Sequence, residues 1–408
     1  MFATKVAPTA RSSRKNSDRK DANTGLCASA PLRLIKNSAE SWGEATNFVN
    51  SATARSESKL AMTSIWGSRG IAHILGRVNC ESMKRRELIK LGFFGAAGLS
   101  AGLLVSGSGA SQDRLRLLPP DRNGVRLPAG FSSRIVAESS LSPVAGCEYV
   151  WHAAPDGGAC FADDDGGWIY VSNSEMDENG GAGALRFNAG GELINAYPIL
   201  QGTRRNCAGG ATPWGSWLSC EEVDDGLVWE CDPMGVEAAV VRPALGVFKH
   251  EAVAVDPRGH RLYLTEDDKD GCLYRFTPYD YPKLDAGKLE ALRVVDGKSG
   301  KIEWLGIEDP SAEKTPTRHQ TEATHFRGGE GIVYFNDRVF FTTKGDNRVW
   351  AIDIPSQSLS VVYDDCAYLD PVLTGVDNIT VAADGDLYVA EDGGCLLYTS
   401  DAADDEYN

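Results

Sequence analysis

The stretch from Thr212 to Glu222, Thr-Pro-Trp-Gly-Ser-Trp-Leu-Ser-Cys-Glu-Glu, sets a thiol and two carboxylates in succession behind a short apolar run, with no basic residue among them. Carboxylates a few ångströms apart raise one another's pKa unless a cation neutralises them. These side chains are therefore either splayed into water on a loop or hold a metal.

The pattern recurs. Gly167 to Glu175, Arg261 to Asp267 and Asp386 to Asp392 are strand-like runs that also end in acid. Taking Glu175, Glu221, Glu266 and Glu391 as the shared glutamates, the spacings are 46, 45 and 125. A further run, Arg338 to Lys344, falls in the last gap with Lys344 in the place of the acid, 78 beyond Glu266 and 47 before Glu391. A period near 45 is the length of one four-stranded propeller blade. The long interval is one blade plus an insertion, expected over Tyr279 to Ala312.

Turn signals fit the same period: Asp163-Asp-Asp-Gly-Gly167, Asp256-Pro-Arg-Gly259, Asn336-Asp337 and Asp384-Gly385 separate paired apolar runs, and helical periodicity is absent. Leu127 to Ala137 reads as an opening strand that closes a ring. The fold class is all-β, a β-propeller. Its inner strands would begin with His250-Glu251, Glu330-Gly331 and Asp377-Asn378. Glu251, Glu330 and Asp377 would thus form a second acidic ring beside Glu175, Glu221, Glu266 and Glu391. Any one of these carboxylates could equally be a solvated turn cap; the set repeats at blade spacing. Carboxylates with Asn173 and Asn378 are hard oxygen donors suited to calcium. Cys220 is soft and suits a transition metal such as iron or zinc. Only His152, His250, His260, His319 and His325 follow residue 82, too few for a histidine-built zinc site.

Bulk properties agree. The 408 residues carry a formal net charge of -16, which argues against a nucleic-acid partner and suits a collector of divalent cations. Residues 1–82, rich in Ser, Ala, Asn, Arg and Lys, read as a disordered leader or a spurious upstream extension. Residues 83–110 have the grammar of a twin-arginine export signal. Arg85-Arg86 precede an apolar run from Leu91 to Val105 and a small-residue cleavage site at Ser108 to Ala110. The expected product is periplasmic or secreted, a monomer with no stable membrane association once the signal is cleaved. Of the ten cysteines, seven lie between residues 111 and 394: Cys147, Cys160, Cys207, Cys220, Cys231, Cys272 and Cys366. Some could pair in an oxidising compartment. An odd one must be free or metal-bound, with Cys220 the candidate.

Several separated motifs carry a resemblance. Pro213 to Glu222, His250-Glu-Ala-Val-Ala-Val-Asp256, Leu262 to Asp267 with Leu273-Tyr-Arg-Phe276, and Asp377-Asn378 through Glu391-Asp392 resemble the PhoX-type alkaline phosphatases from about Leu127 to Gly394. The resemblance implies a six-bladed propeller that hydrolyses phosphate monoesters of small molecules with Fe3+ and Ca2+ on its axis. Its cysteine ligand would fall on Cys220, and its carboxylates among Glu221, Glu251, Glu266, Glu330 and Glu391. Cys220 and Glu221 would then be catalytic, with Arg275, Arg327 or Arg348 near the phosphate, Arg275 being taken first. A calcium-dependent lactonase-like hydrolase, or a propeller that only binds, would share the acids without needing Cys220. Residues 111–394 read as a partial propeller. Residues 395–408 resemble translated sequencing adapter, so the chain is expected to be truncated.

Overall fold

A computed structural model describes residues 118–392 apart from 128, 129, 298 and 370, together with the backbone of three short strands, Phe2–Lys5, Leu32–Ile35 and His73–Ile74. The expected export signal and adapter-like tail lie outside the described residues, as does the leader apart from those three strands.

The protein is a β-propeller. Blade 1 comprises Pro155–Ala162, Trp168–Ser174, Gly180–Phe187 and Leu193–Thr203. Blade 2 comprises Asn206–Ala211, Trp217–Glu221, Val228–Cys231 and Val240–Val241. Blade 3 comprises His250–Asp256, Arg261–Glu266, Leu273–Pro278 and Gly287–Val294. Blade 4 comprises Gly329–Phe335, Arg338–Thr343, Arg348–Asp353 and Ser358–Asp364. Blade 5 shows Val376–Val381 and Leu387–Glu391 among the described residues. Consecutive strands within a blade pair antiparallel, and the first strands of successive blades lie side by side. A sixth blade has no counterpart among the described residues.

The apolar runs are continuous because each blade is covered on both faces. Successive side chains of a strand point to opposite sides. Leu262 and Leu264 accordingly enter the core shared with blade 2, while Tyr263 enters the core shared with blade 4. Phe341 and Phe340 divide in the same way between the cores facing blades 3 and 5. Each such aromatic or aliphatic side chain contributes about 1.5–3 kcal/mol on full burial. The hairpin at Asn336-Asp337 has two left-handed residues, φ 46° and 59°, as a two-residue loop between twisted strands requires.

Two expectations are corrected. The insertion falls later than expected, because Tyr279 to Ala312 contains blade 3's own fourth strand, Gly287–Val294. The added chain follows it. It includes Gly300–Gly306, which pairs with Gly287–Val294 and with Ser358–Asp364 and so joins the outer edges of blades 3 and 4. The opening strand is shorter, Arg134–Glu138, and pairs with Phe2–Lys5 rather than with a blade. Its Ala137 packs with Trp151 and with Leu185 and Phe187 of blade 1.

Candidate metal centre

The first strand of every blade slips register near its beginning. The break lies between Pro155 and Gly158, His250 and Val253, Gly329 and Ile332, and Val376 and Ile379. In blade 2 it falls between Ser219 and Glu221, opposite Asn206 and Gly209. A bulge kinks a strand and re-aims a side chain. The residue that opens each break is Asp156, Cys207, Glu251, Glu330 or Asp377.

A second position repeats beside it. The residue after each second strand's paired end donates its backbone N–H to the carbonyl two residues before the bulge. These bonds are Glu175 to Ala154 at 2.9 Å, Glu222 to Arg205 at 2.9 Å, Asp267 to Lys249 at 3.2 Å, Lys344 to Gly328 at 2.9 Å and Asp392 to Gly375 at 2.8 Å. Five blades therefore present five pairs at one end of the first strands. Eight of these side chains are carboxyls, one is a thiol and one an ammonium.

The pairs converge. Ligand atoms of Asp156, Glu175 and Cys207 lie within 4.8 Å of one another, as do those of Cys207, Glu222 and Glu251. Arg205 Nη2 donates to Glu175 at 2.6 Å and to Glu222 at 3.1 Å, and Lys344 Nζ lies 3.0 Å from Asp392. Two cations do not balance eight acids. Burial, reinforced by neighbouring carboxylates, pushes Asp156, Glu251 and Glu330 well above the carboxylate range. Burial also raises Asp377 and Glu222, against the pull of Lys344 and Arg205, and pushes Asp267 up to about 6. The Cys207 thiol is held well above its ordinary value by burial and by Asp156. Glu330 Oε1 is buried and makes no hydrogen bond. Acids held against their own repulsion around a thiol form a donor set that fits cations. The first strands also line a cavity of about 300 Å³, with Gly157, Gly209, Val253 and Ile332 among its lining residues.

Of the residues singled out from sequence, Glu175, Glu251, Glu330 and Asp377 stand in this cluster. Glu221, Glu266 and Glu391 do not, because they sit one residue too early. Glu221 accepts from the Arg204 and Leu227 backbone N–H groups at 3.0 and 3.3 Å and from Trp229 Nε1 at 3.1 Å. Glu266 repeats this with Cys272 N–H at 2.9 Å and the Tyr274 hydroxyl at 2.7 Å, and pairs with Arg318 from the added chain at 3.0 Å. Glu391 accepts from Thr374 N–H at 2.6 Å. These glutamates fasten the loop that follows their own strand or precedes its neighbour.

Cys220 is likewise no partner of the cluster. It is fully buried in the core with Leu218, Val228 and Phe248. By register it matches Asn173, Thr265 and Thr342, which tie one blade to the next. Asn173 Nδ2 donates to the Cys207 carbonyl at 3.1 Å, Thr265 Oγ1 to the Glu330 carbonyl at 2.5 Å, and Thr342 Oγ1 to the Asp377 carbonyl. Arg275 is held by Glu290 at 2.5 Å and covers Trp304, 4.3 Å from the ring centroid, on blade 3's outer half. Arg348 is paired with Asp346 and Asp364, and Arg327 is exposed. Among the described residues every cysteine is unpaired.

Asp156, Cys207 and Arg205 escaped the sequence reading, while Glu222, Asp267, Asp392 and Lys344 were seen at the ends of their runs but the residue before each acid was taken as the repeating one. A signal for the bulge ring was present: each member but Asp377 precedes Gly or Ala, as Asp156-Gly157, Cys207-Ala208, Glu251-Ala252 and Glu330-Gly331. The packing explains it, since a Cβ on Gly157 would lie 2.4 Å from Ala208 Cα and one on Gly331 2.4 Å from Ile379 N.

Comparison with known proteins adds the following. Residues 162–360 match the family model described as alkaline phosphatase PhoX. The fold is similar to PhoX of Pseudomonas fluorescens in complex with vanadate, a transition state analogue. The identity is 16%, the TM-score is 0.50, and the match covers 59% of this chain and 74% of that one. It is similar at lower scores to an auxiliary nutrient binding protein of Bacteroides thetaiotaomicron, with 9% identity, TM-score 0.42 and coverage of 59% and 58%. A gluconolactonase of Xanthomonas campestris gives 12% identity, TM-score 0.36 and coverage of 59% and 72%. No curated protein sequence matches.

Proposed function

The chain belongs to the PhoX-type alkaline phosphatase family through residues 162–360, and from that premise we propose that it hydrolyses phosphate monoesters at a metal cluster on the propeller axis. The observation that carries this reading is the double ring, with two overlapping three-donor groups that share Cys207. Cys207, with Asp156, Glu175, Glu222 and Glu251 around it, would hold a transition metal, and iron suits a thiolate among carboxylates. Asp267, against Glu222 and Glu251, adds hard oxygens on the same side and would hold calcium. Bound cations supply the positive charge that a phosphate monoester dianion needs as its ester bond breaks.

The chain's own groups do the positioning. Arg205 fixes the Glu175 and Glu222 carboxylates by hydrogen bonds, and Lys344 draws Asp392 toward Glu330. The bulges hold the acids at the mouth, and the surrounding apolar cores keep bulk water off their far side. The substrates on this reading are small phosphorylated molecules. Nucleic acid and stable membrane attachment are not part of it. The protein would act as a monomer, exported by the signal at residues 83–110.

The test is turnover of p-nitrophenyl phosphate by protein loaded with iron and calcium. The expected result is hydrolysis that stops on chelation, with no opening of gluconolactone under the same conditions. Lactone turnover without phosphatase activity would select the lactonase reading. Metal-loaded protein inert toward both would select a binding propeller.

A further inference from the structure

Four of the five positions that follow the second strands are acids, Glu175, Glu222, Asp267 and Asp392; blade 4 has Lys344. Its ammonium lies 3.0 Å from Asp392 Oδ2 and 3.8 Å from Glu330 Oε1. That Glu330 oxygen is buried with no hydrogen-bond partner, and the residue is 3% exposed. Asp377, the bulge residue of the next blade, interacts with both Glu330 and Lys344. The two three-donor groups of the axis both contain Cys207 and lie on blades 1 to 3. Glu330, Asp377 and Asp392 form no such group among the described residues, although they are all carboxyls of the same two rings.

We propose that Lys344 is a tethered cation standing where the axial cluster would otherwise take a divalent metal, and that removing its charge opens a site for one hard divalent cation among Glu330, Asp377 and Asp392. The ammonium is a compact point charge with three donors and no acceptor. It satisfies Asp392 at hydrogen-bond distance but reaches Glu330 only as an ion pair, so one acceptor in its niche stays unfilled. Three carboxylates can supply up to six oxygens, which is within calcium's range. Covalent attachment of the cation also confines exchangeable metals to the Cys207 side, so the centre is asymmetric by sequence.

This inference rests on the reading of the axis as a metal cluster, and its test separates the two. Calcium uptake is measured on the metal-stripped full chain as wild type, Lys344→Met, Lys344→Gln and Lys344→Arg, by calorimetric titration and by elemental analysis after dialysis. The expected result is about one calcium more per chain in the Met and Gln variants than in wild type, and no gain in the Arg variant. Their calcium-dependent rise in thermal midpoint should also exceed that of wild type. Equal stoichiometry in all four proteins overturns the proposal while leaving the cluster intact. A wild type that takes up neither calcium nor iron overturns the cluster reading itself, and the proposal with it. Met and Gln variants that stay unfolded at millimolar calcium also count against it, since the divalent ion is to replace the ammonium.

Discussion

Cys207 opens the second blade's first strand and Cys220 nearly closes the strand beside it, and register alone gives them different surroundings. Cys207 occupies a bulge among Asp156, Glu175, Glu222 and Glu251. Cys220 occupies the inter-blade position that Thr265 and Thr342 fill elsewhere with a hydroxyl. Cys207→Ser should therefore remove the transition metal and lower phosphatase turnover by more than about 100-fold, beyond the range typical of outer-shell changes. Cys220→Ser should keep full metal content and change stability by no more than about 1 kcal/mol, because a hydroxyl there finds the next blade's carbonyl. Elemental analysis and urea denaturation of both variants check this. The sequence made the chemistry visible but not its address. Cys220-Glu221-Glu222 is a conspicuous string, yet only Glu222 of the three reaches the axis. One residue of offset turns a side chain from the cluster to a loop, and pairing register is not written in composition.

At the scale of elements the blades were readable and the bulges were not. Hairpin turns such as Asn336-Asp337 and the near-45 period follow from local chemistry, so the second and third strands fell where expected. A bulge belongs to two strands at once, and its trace in one sequence is the small residue that follows four of the five bulge residues, all but Asp377. Gly331 shows why that residue is small: a Cβ there would meet Ile379 N at 2.4 Å and Asn378 Cα at 2.7 Å. Gly331→Ala should cost about 1–3 kcal/mol by overpacking backbone against backbone. Gly306→Ala serves as the control, its nearest neighbour being the flexible Lys288 side chain at 3.8 Å. It should be near neutral in the same denaturation series.

Over the whole molecule, the axial charge makes stability depend on metal and pH together. Asp267, at about 6, and Glu251, Glu330 and Asp156, higher still, hold protons in the metal-free fold that the unfolded chain releases near pH 4. With folded values above unfolded ones, their protonation favours the native state at low pH. Stability then falls as pH rises from about 4 through 6 and beyond. In chelator the thermal midpoint should drop between pH 5 and pH 8. With iron and calcium the ionised carboxylates are wanted, and the midpoint should instead be higher at pH 8. Thermal scans at both pH values, with and without chelator, decide this. The all-β architecture was evident from repetition along the chain. The extra strand Gly300–Gly306, which links blades 3 and 4, was not, since it has no repeat to be compared with.

Anomalous diffraction at the iron edge from crystals grown with iron and calcium tests the central claim most directly. The account predicts a peak on the propeller axis about 2.3 Å from Cys207 Sγ, near the usual metal–thiolate distance, with Asp156, Glu175, Glu222 or Glu251 completing its ligands. An axis without a peak, or iron bound at Cys220 instead, would contradict it.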